Sequence, residues 1–142
     1  NVPIAFMQYL KRGEDFITPE GEIVANELLT VAPPPARSFA YMTDTLFRER
    51  FADYVRGVDL LYHEATYMNA DAVLAKESYH STTGQAARIA ELAGVGKLLL
   101  GHFSARYTEC SELLAEAREV FPNTFLCSDG DLFEVPAVKR RS

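Results

Sequence analysis

The chain has 142 residues, of which 48% are apolar and 24% charged, enough apolar content for one compact globular domain. No apolar run approaches the roughly 18 residues that cross a bilayer, and Asn1 to Gly13 lacks the charged-then-apolar layout of a secretory signal, so the expected setting is the cytoplasm, with no membrane role. A net charge of −6 speaks against an extended nucleic-acid surface on these residues, and Cys110 and Cys127 are too few for a disulfide framework and read as buried free thiols.

In chain order, the apolar segment Pro3 to Leu10 is followed by a Gly/Pro-punctuated stretch, Gly13 to Gly21. The apolar residues Phe16-Ile17 and Ile23-Val24 flank its later part, which fits a small hairpin. Pro33-Pro34-Pro35 stops any helix and leads into Phe39 to Met42, a buried-strand pattern ending on Thr43-Asp44-Thr45. Residues 1–38 thus read as a hairpin and linker lead-in to an alternating part over 39–136.

Within that part Phe47, Phe51, Tyr54 and Val55 fall at helical spacing, and Val58 to Tyr62 is a short apolar run. Thr82 followed three places later by Gln85 is a capping box, which starts a helix whose buried face carries Ala86, Ile89, Ala90 and Ala93 and whose end is Gly94. Lys97 to Leu100 is a second run. Cys110, Leu113, Leu114, Ala117 and Phe121 mark another helix face, and Thr124 to Cys127 another strand. The layout is β-α-β-α, closed by a basic tail at 137–142. The missing initiator Met at Asn1 leads us to expect that the chain begins inside a longer protein.

The three histidines, His63, His80 and His102, stand at the ends of apolar runs or just before the capped helix, and Asp44 stands at a strand end. Loops converge at the carboxyl ends of strands in layered α/β folds, so these four groups are expected at one edge. A carboxylate with two or three imidazoles is a donor set that suits zinc. Taken alone, Asp44 also reads as a helix N-cap for a segment starting at Thr45.

Four strings in the chain, Thr43-Asp44-Thr45, His63-Glu64-Ala65-Thr66, His80-Ser81-Thr82 and Gly101-His102-Phe103-Ser104-Ala105-Arg106-Tyr107, resemble the ribonuclease Z branch of the metallo-β-lactamase fold. The resemblance runs from about Gly13 to Pro136. It implies an α/β architecture, a metallo-β-lactamase-like αββα sandwich, of which this chain supplies the C-terminal half.

The activity it implies is zinc-dependent hydrolysis of the phosphodiester that joins pre-tRNA to its 3′ trailer. In that reading Asp44 bridges two zinc ions and His102 binds one of them. His80 handles the proton of the departing 3′ oxygen, with Glu64 orienting and charging its ring. Arg106, Ser104, Ser81, Thr82 and Thr66 are implied to bind substrate, helped by the start of the Thr82-capped helix as an anion-friendly end.

The chain departs from the family pattern in two ways. The metal motif H-x-H-x-D-H is expected upstream of Asn1, and Thr43 stands where the family carries Ser or Gly. The expected partners are therefore pre-tRNA, the missing N-terminal half and a second copy in a homodimer, with the isolated chain inactive. Two other readings fit the residues less well: a metal-dependent phosphodiesterase of the same fold acting on small molecules, and a non-catalytic interaction domain.

Overall fold

The computed structural model describes residues 2–31, 33–34 and 36–135, so the basic tail expected at 137–142 lies outside the described residues. Two units divide the chain, the first running to Pro35 and the second starting at Ala36. The break follows the proline run, where residues without an N–H can join neither a helix interior nor a sheet ladder.

In the first unit a short 3-10 turn, Ile4–Phe6, leads into α1 (Met7–Leu10). The expected hairpin forms from β1 (Phe16–Ile17) and β2 (Ile23–Val24), antiparallel with Phe16 opposite Val24. Gly21 closes its turn with φ of 88°, a left-handed backbone suited to glycine, and its N–H donates to the Thr18 carbonyl at 2.9 Å. The short α2 (Asn26–Leu29) follows. The Asn26 side-chain amide donates to the carbonyls of Leu10 and Glu14 at 2.9 and 3.0 Å, tying α2 back to the start of the unit.

The second unit is built on a parallel sheet of β3 (Phe39–Met42), β4 (Leu60–Glu64), β5 (Lys97–Gly101) and β6 (Thr124–Leu126), in that spatial order. Parallel neighbours need crossover connections. These are a 3-10 helix at Glu49–Val55 between β3 and β4, the helices α3 (Ala72–Glu77) and α4 (Thr83–Ala93) between β4 and β5, and α5 (Ser111–Val120) between β5 and β6. One side of the sheet packs on these helices: Leu61, Leu98 and Leu100 meet Ala86, Ile89, Ala90 and Ala93 of α4, Ala117 of α5, and Ala52 and Val55 of the 3-10 helix. Alanine lines α4 here, which lets that helix lie close to the strands.

The start of α4 is as read from the sequence: the Thr82 hydroxyl accepts the Gln85 N–H, and the Gln85 side chain accepts the Thr82 N–H. Gly94 ends the helix in the left-handed conformation, φ 62°. Two sequence expectations need correction. The segment after Asp44 is not a helix that Asp44 caps; the next helical residues are the 3-10 turns starting at Glu49, preceded by Arg48. And β4 continues through His63 and Glu64, because Met42 pairs with His63 on one side and Gly101 with Glu64 on the other. His63 is thus an interior strand residue, 1% exposed, and not a junction residue. By strand alternation it shares with Leu61 the face that α4 covers.

The opposite face of the sheet presents Phe39, Tyr41 and Phe125 as exposed aromatics, with Tyr41 stacked on Tyr62 at 4.5 Å between ring centroids. Cys110 and Cys127 are free and half-buried, less enclosed than buried thiols.

Candidate metal-dependent hydrolytic site

The loops after β3, β4 and β5 and the segment before α4 come together at the carboxyl edge of the sheet. Asp44, His80 and His102 each place one donor atom within 4.8 Å of the other two. The His102 Nε2 lies 3.7 Å from Asp44 Oδ1, and the imidazoles of His80 and His102 are 5.2 Å apart between centroids. Asp44 and His102 leave their strands in left-handed backbone conformations, φ 47° and 59°. For a residue with a Cβ this costs about 1–3 kcal/mol, so the surrounding structure must hold it there.

Glu64 supplies much of that hold. It is fully buried, and its carboxylate accepts five hydrogen bonds: from the Thr45 N–H, the Ser81 N–H and His80 Nδ1 on one oxygen, and from the N–H and hydroxyl of Thr66 on the other. An acceptor-only carboxylate matched to five donors is a strong and directional anchor. It fixes the loop after β3 through Thr45, the approach to α4 through Ser81 and His80, and its own loop through Thr66.

The fourth connection follows from proton counting. The single hydroxyl proton of Thr66 is given to Glu64, so the 2.8 Å contact between Thr66 Oγ1 and His102 Nδ1 requires that Nδ1 be the donor. His102 then carries its proton on Nδ1 and presents Nε2 as a lone pair beside Asp44. His80 is arranged alike: Nδ1–H faces Glu64 at 3.1 Å, and Nε2 is left for other chemistry. Two imidazole lone pairs and a carboxylate at this spacing fit a borderline-soft divalent cation such as zinc.

The remaining sequence candidates divide into two groups. The hydroxyls of Ser81, Thr82 and Thr66 are engaged within the chain, with Thr45 carbonyl, Asn69 and Glu64 as acceptors, and all three residues are buried. They have no outward donor for a substrate. The first turn of α4 is likewise closed, since Thr82, Thr83 and Gly84 are buried and the Thr83 hydroxyl donates to Glu116. An anion does not reach that helix end.

Ser104 and Arg106 lie on the loop after β5, with Arg106 exposed. The Ser104 N–H donates to the Thr66 carbonyl at 3.0 Å, and its own carbonyl accepts from the Tyr107 N–H at 3.1 Å, which shapes the loop. His63, read from sequence as one of four convergent groups, is turned into the core. Its Nδ1 lies 2.6 Å from the Glu64 carbonyl, and burial holds its pKa below the ordinary histidine value. Sequence reading placed Thr45 in a motif without giving it a role and did not mark Asn69, Asp71 or Glu116; each acts through contacts 13 or more residues away.

The profile of the beta-lactamase superfamily domain matches residues 27–103, a span that includes Asp44, Glu64, His80 and His102. The chain belongs to the beta-lactamase superfamily. Within it, the chain is 51% identical over 128 residues to the ribonuclease Z of Bacteroides fragilis strain YCH46, covering 90% of this chain and 42% of that protein. It is 44% identical to the ribonuclease Z of Porphyromonas gingivalis strain W83 (91% and 42% covered) and 41% identical to that of Phocaeicola vulgatus (97% and 45% covered). Among solved structures, the metallo-beta-lactamase fold protein YhfI from Bacillus subtilis superposes with a TM-score of 0.63 at 26% identity, over 68% of this chain and 39% of that one. The chain therefore spans less than half the length of the superfamily members it matches. No helix of the described residues is long and apolar enough to cross a membrane.

Proposed function

We propose that this chain is the C-terminal catalytic half of a ribonuclease Z, which hydrolyses the phosphodiester between a tRNA precursor and its 3′ trailer. The observation that supports this most is the Glu64 hub, which orients both His80 and His102 so that a donor atom of each meets Asp44 at one edge of the sheet. Kinship with proteins named ribonuclease Z supports the substrate class. The exposed Phe39, Tyr41 and Phe125 suit a face that a second sheet covers, as in an αββα sandwich whose other half carries H-x-H-x-D-H. A homodimer and a cytoplasmic setting belong to the same proposal.

In this reading Asp44 and His102 would hold zinc. When bound, zinc polarises the phosphate and lowers the pKa of water toward neutrality. The chain's own residues do the rest. Water oxygen attacks phosphorus and releases one proton to solvent, the bond from phosphorus to the 3′ oxygen of the tRNA breaks, and that oxygen takes a proton from His80 Nε2, which solvent then restores. The trailer keeps the phosphate. His80 can carry that proton because its Nδ1–H already faces the Glu64 carboxylate, which stabilises the imidazolium before transfer. Arg106 contacts substrate phosphate through its planar fork.

The test uses the protein at its native length, stripped by chelator and reloaded with zinc, with a pre-tRNA labelled in its trailer. The expected products are a tRNA with a 3′ hydroxyl and a trailer with a 5′ phosphate. Full activity in Asp44→Asn would reject the reading. One observation favours a different role for His80: its donor atom lies in the same 4.8 Å cluster as those of Asp44 and His102. If His80→Ala loses bound zinc in proportion to turnover, His80 is a ligand; zinc retained with turnover lost supports the proton donor.

A further inference from the structure

Asp71 lies in none of the motifs read from the sequence, yet it joins two consecutive residues of the loop after β5. Its Oδ1 is 3.3 Å from Nη1 of Arg106, and its Oδ2 accepts the hydroxyl of Tyr107, whose oxygen accepts the Met68 N–H at 3.0 Å. The Arg106 guanidinium also sits over the Tyr67 ring, 5.4 Å from its centroid, and that ring is 6.4 Å from the His80 imidazole. Arg106 is thus linked to the reacting groups through Tyr67, and is held on a second side by Asp71.

We propose that Asp71 is a positioning residue that holds Arg106, beside Tyr67, in place for substrate phosphate; this rests on the hydrolytic reading above. Two effects of Asp71 oppose each other. Its charge offsets part of the attraction of Arg106 for phosphate, while its contacts remove rotamer freedom that Arg106 otherwise loses on binding. Both side chains are partly open to water, at 45% and 29% exposure, so the charge effect is screened. The guanidinium meets Asp71 through Nη1 as an ion pair, and its five-donor fork has further N–H groups to offer phosphate. Asp71 also fixes the loop itself through Tyr107, a phenol whose pKa burial and this bond hold above its ordinary value, so that it remains a donor. Preorganisation is therefore the larger effect, and Asp71 strengthens RNA binding.

The experiment measures binding of a fluorescent pre-tRNA to the native-length protein by anisotropy, in chelator so that cleavage does not intervene. Asp71→Ala should weaken binding by about five- to tenfold, a size usual for directly coupled pairs. Asp71→Asn should recover most of it, because the amide oxygen still accepts from the Tyr107 hydroxyl. The Asp71→Ala and Arg106→Ala double variant should bind no more weakly than Arg106→Ala alone. Binding by Asp71→Ala that equals or exceeds wild type, or effects of the two substitutions that add, would overturn the proposal, as would a wild-type protein that binds no pre-tRNA. A wild type that binds pre-tRNA but, loaded with zinc, does not cut it would defeat the hydrolytic reading while the binding comparison still decides the role of Asp71.

Discussion

Thr66 and His102 come from the ends of neighbouring strands, and the Thr66 hydroxyl oxygen accepts the Nδ1 proton of His102 at 2.8 Å while giving its own proton to Glu64. One hydroxyl thus sets which nitrogen of His102 carries the proton and which is free. Thr66→Val keeps the shape and removes both bonds. Zinc affinity, measured by competition with a chromogenic chelator, should fall by about 10- to 100-fold, the usual effect of losing the partner that orients a ligating histidine. Thr66→Ser should keep most of the affinity. If Val and wild type bind zinc alike, the tautomer of His102 is set by something else.

Glu64 is the point through which three loops are joined, so its substitution should affect stability as well as chemistry. Glu64→Gln keeps the volume but replaces one acceptor oxygen with an NH2 that faces donors. Leaving buried donors without acceptors costs about 1–3 kcal/mol. A urea titration should show a loss of at least this size. Turnover should fall further than stability accounts for, because His80 loses its charged partner. A Gln variant with wild-type stability would mean that the buried donors find other acceptors.

Much of this site was legible from local pattern. The capping box of Thr82 and Gln85 and the stop at Gly94 depend on residues three or four apart, and both stand where the sequence put them. The strands ending near Asp44 and His102 were readable as apolar runs, and those two residues do meet. What was not legible depends on pairing across distance. His63 looked like a junction residue because the apolar run ends before it, but pairing on both sides extends β4 by two residues and buries it. The hydroxyls of Ser81, Thr82 and Thr66 looked available for phosphate, and their actual acceptors are 2 to 36 residues away along the chain. Asp71 had no signal at all, being one acidic residue at the start of a short helix.

Gly101 precedes His102, and space explains it. A Cβ there would stand 2.5 Å from the Tyr62 hydroxyl oxygen and 2.8 Å from the ring carbon Cε2. The Tyr62 ring is stacked on Tyr41 and partly buried, with burial pushing its pKa up to about 12, so it cannot swing aside without losing contacts. Gly101→Ala should therefore destabilise the protein by about 1–3 kcal/mol, as overpacking does. Adding Tyr62→Phe removes the nearest atom and should restore part of the loss. No restoration would place the conflict elsewhere than at the hydroxyl.

His63 makes mild acid a destabilising condition for the sheet. Burial disfavours its charged form and lowers its pKa, a shift that its bond to the Glu64 carbonyl and the Glu64 charge only partly oppose. The unfolded chain takes up a proton near pH 6.5, whereas the folded chain resists until lower pH. Between those two points the unfolded state binds more protons, so stability is full above about pH 6.5 and declines as pH falls through that range. A comparison with a variant separates the contribution of His63 from that of every other group. Urea midpoints of wild type and His63→Gln, taken in chelator between about pH 7.5 and 5.5, isolate the contribution. Asp59, whose carboxylate the Ser38 hydroxyl holds below the usual range, titrates well under that window. The wild-type midpoint should fall more steeply with acid than that of the variant. Parallel slopes would show that His63 takes up its proton as readily in the folded chain as in the unfolded one, and would remove it as the source of acid sensitivity.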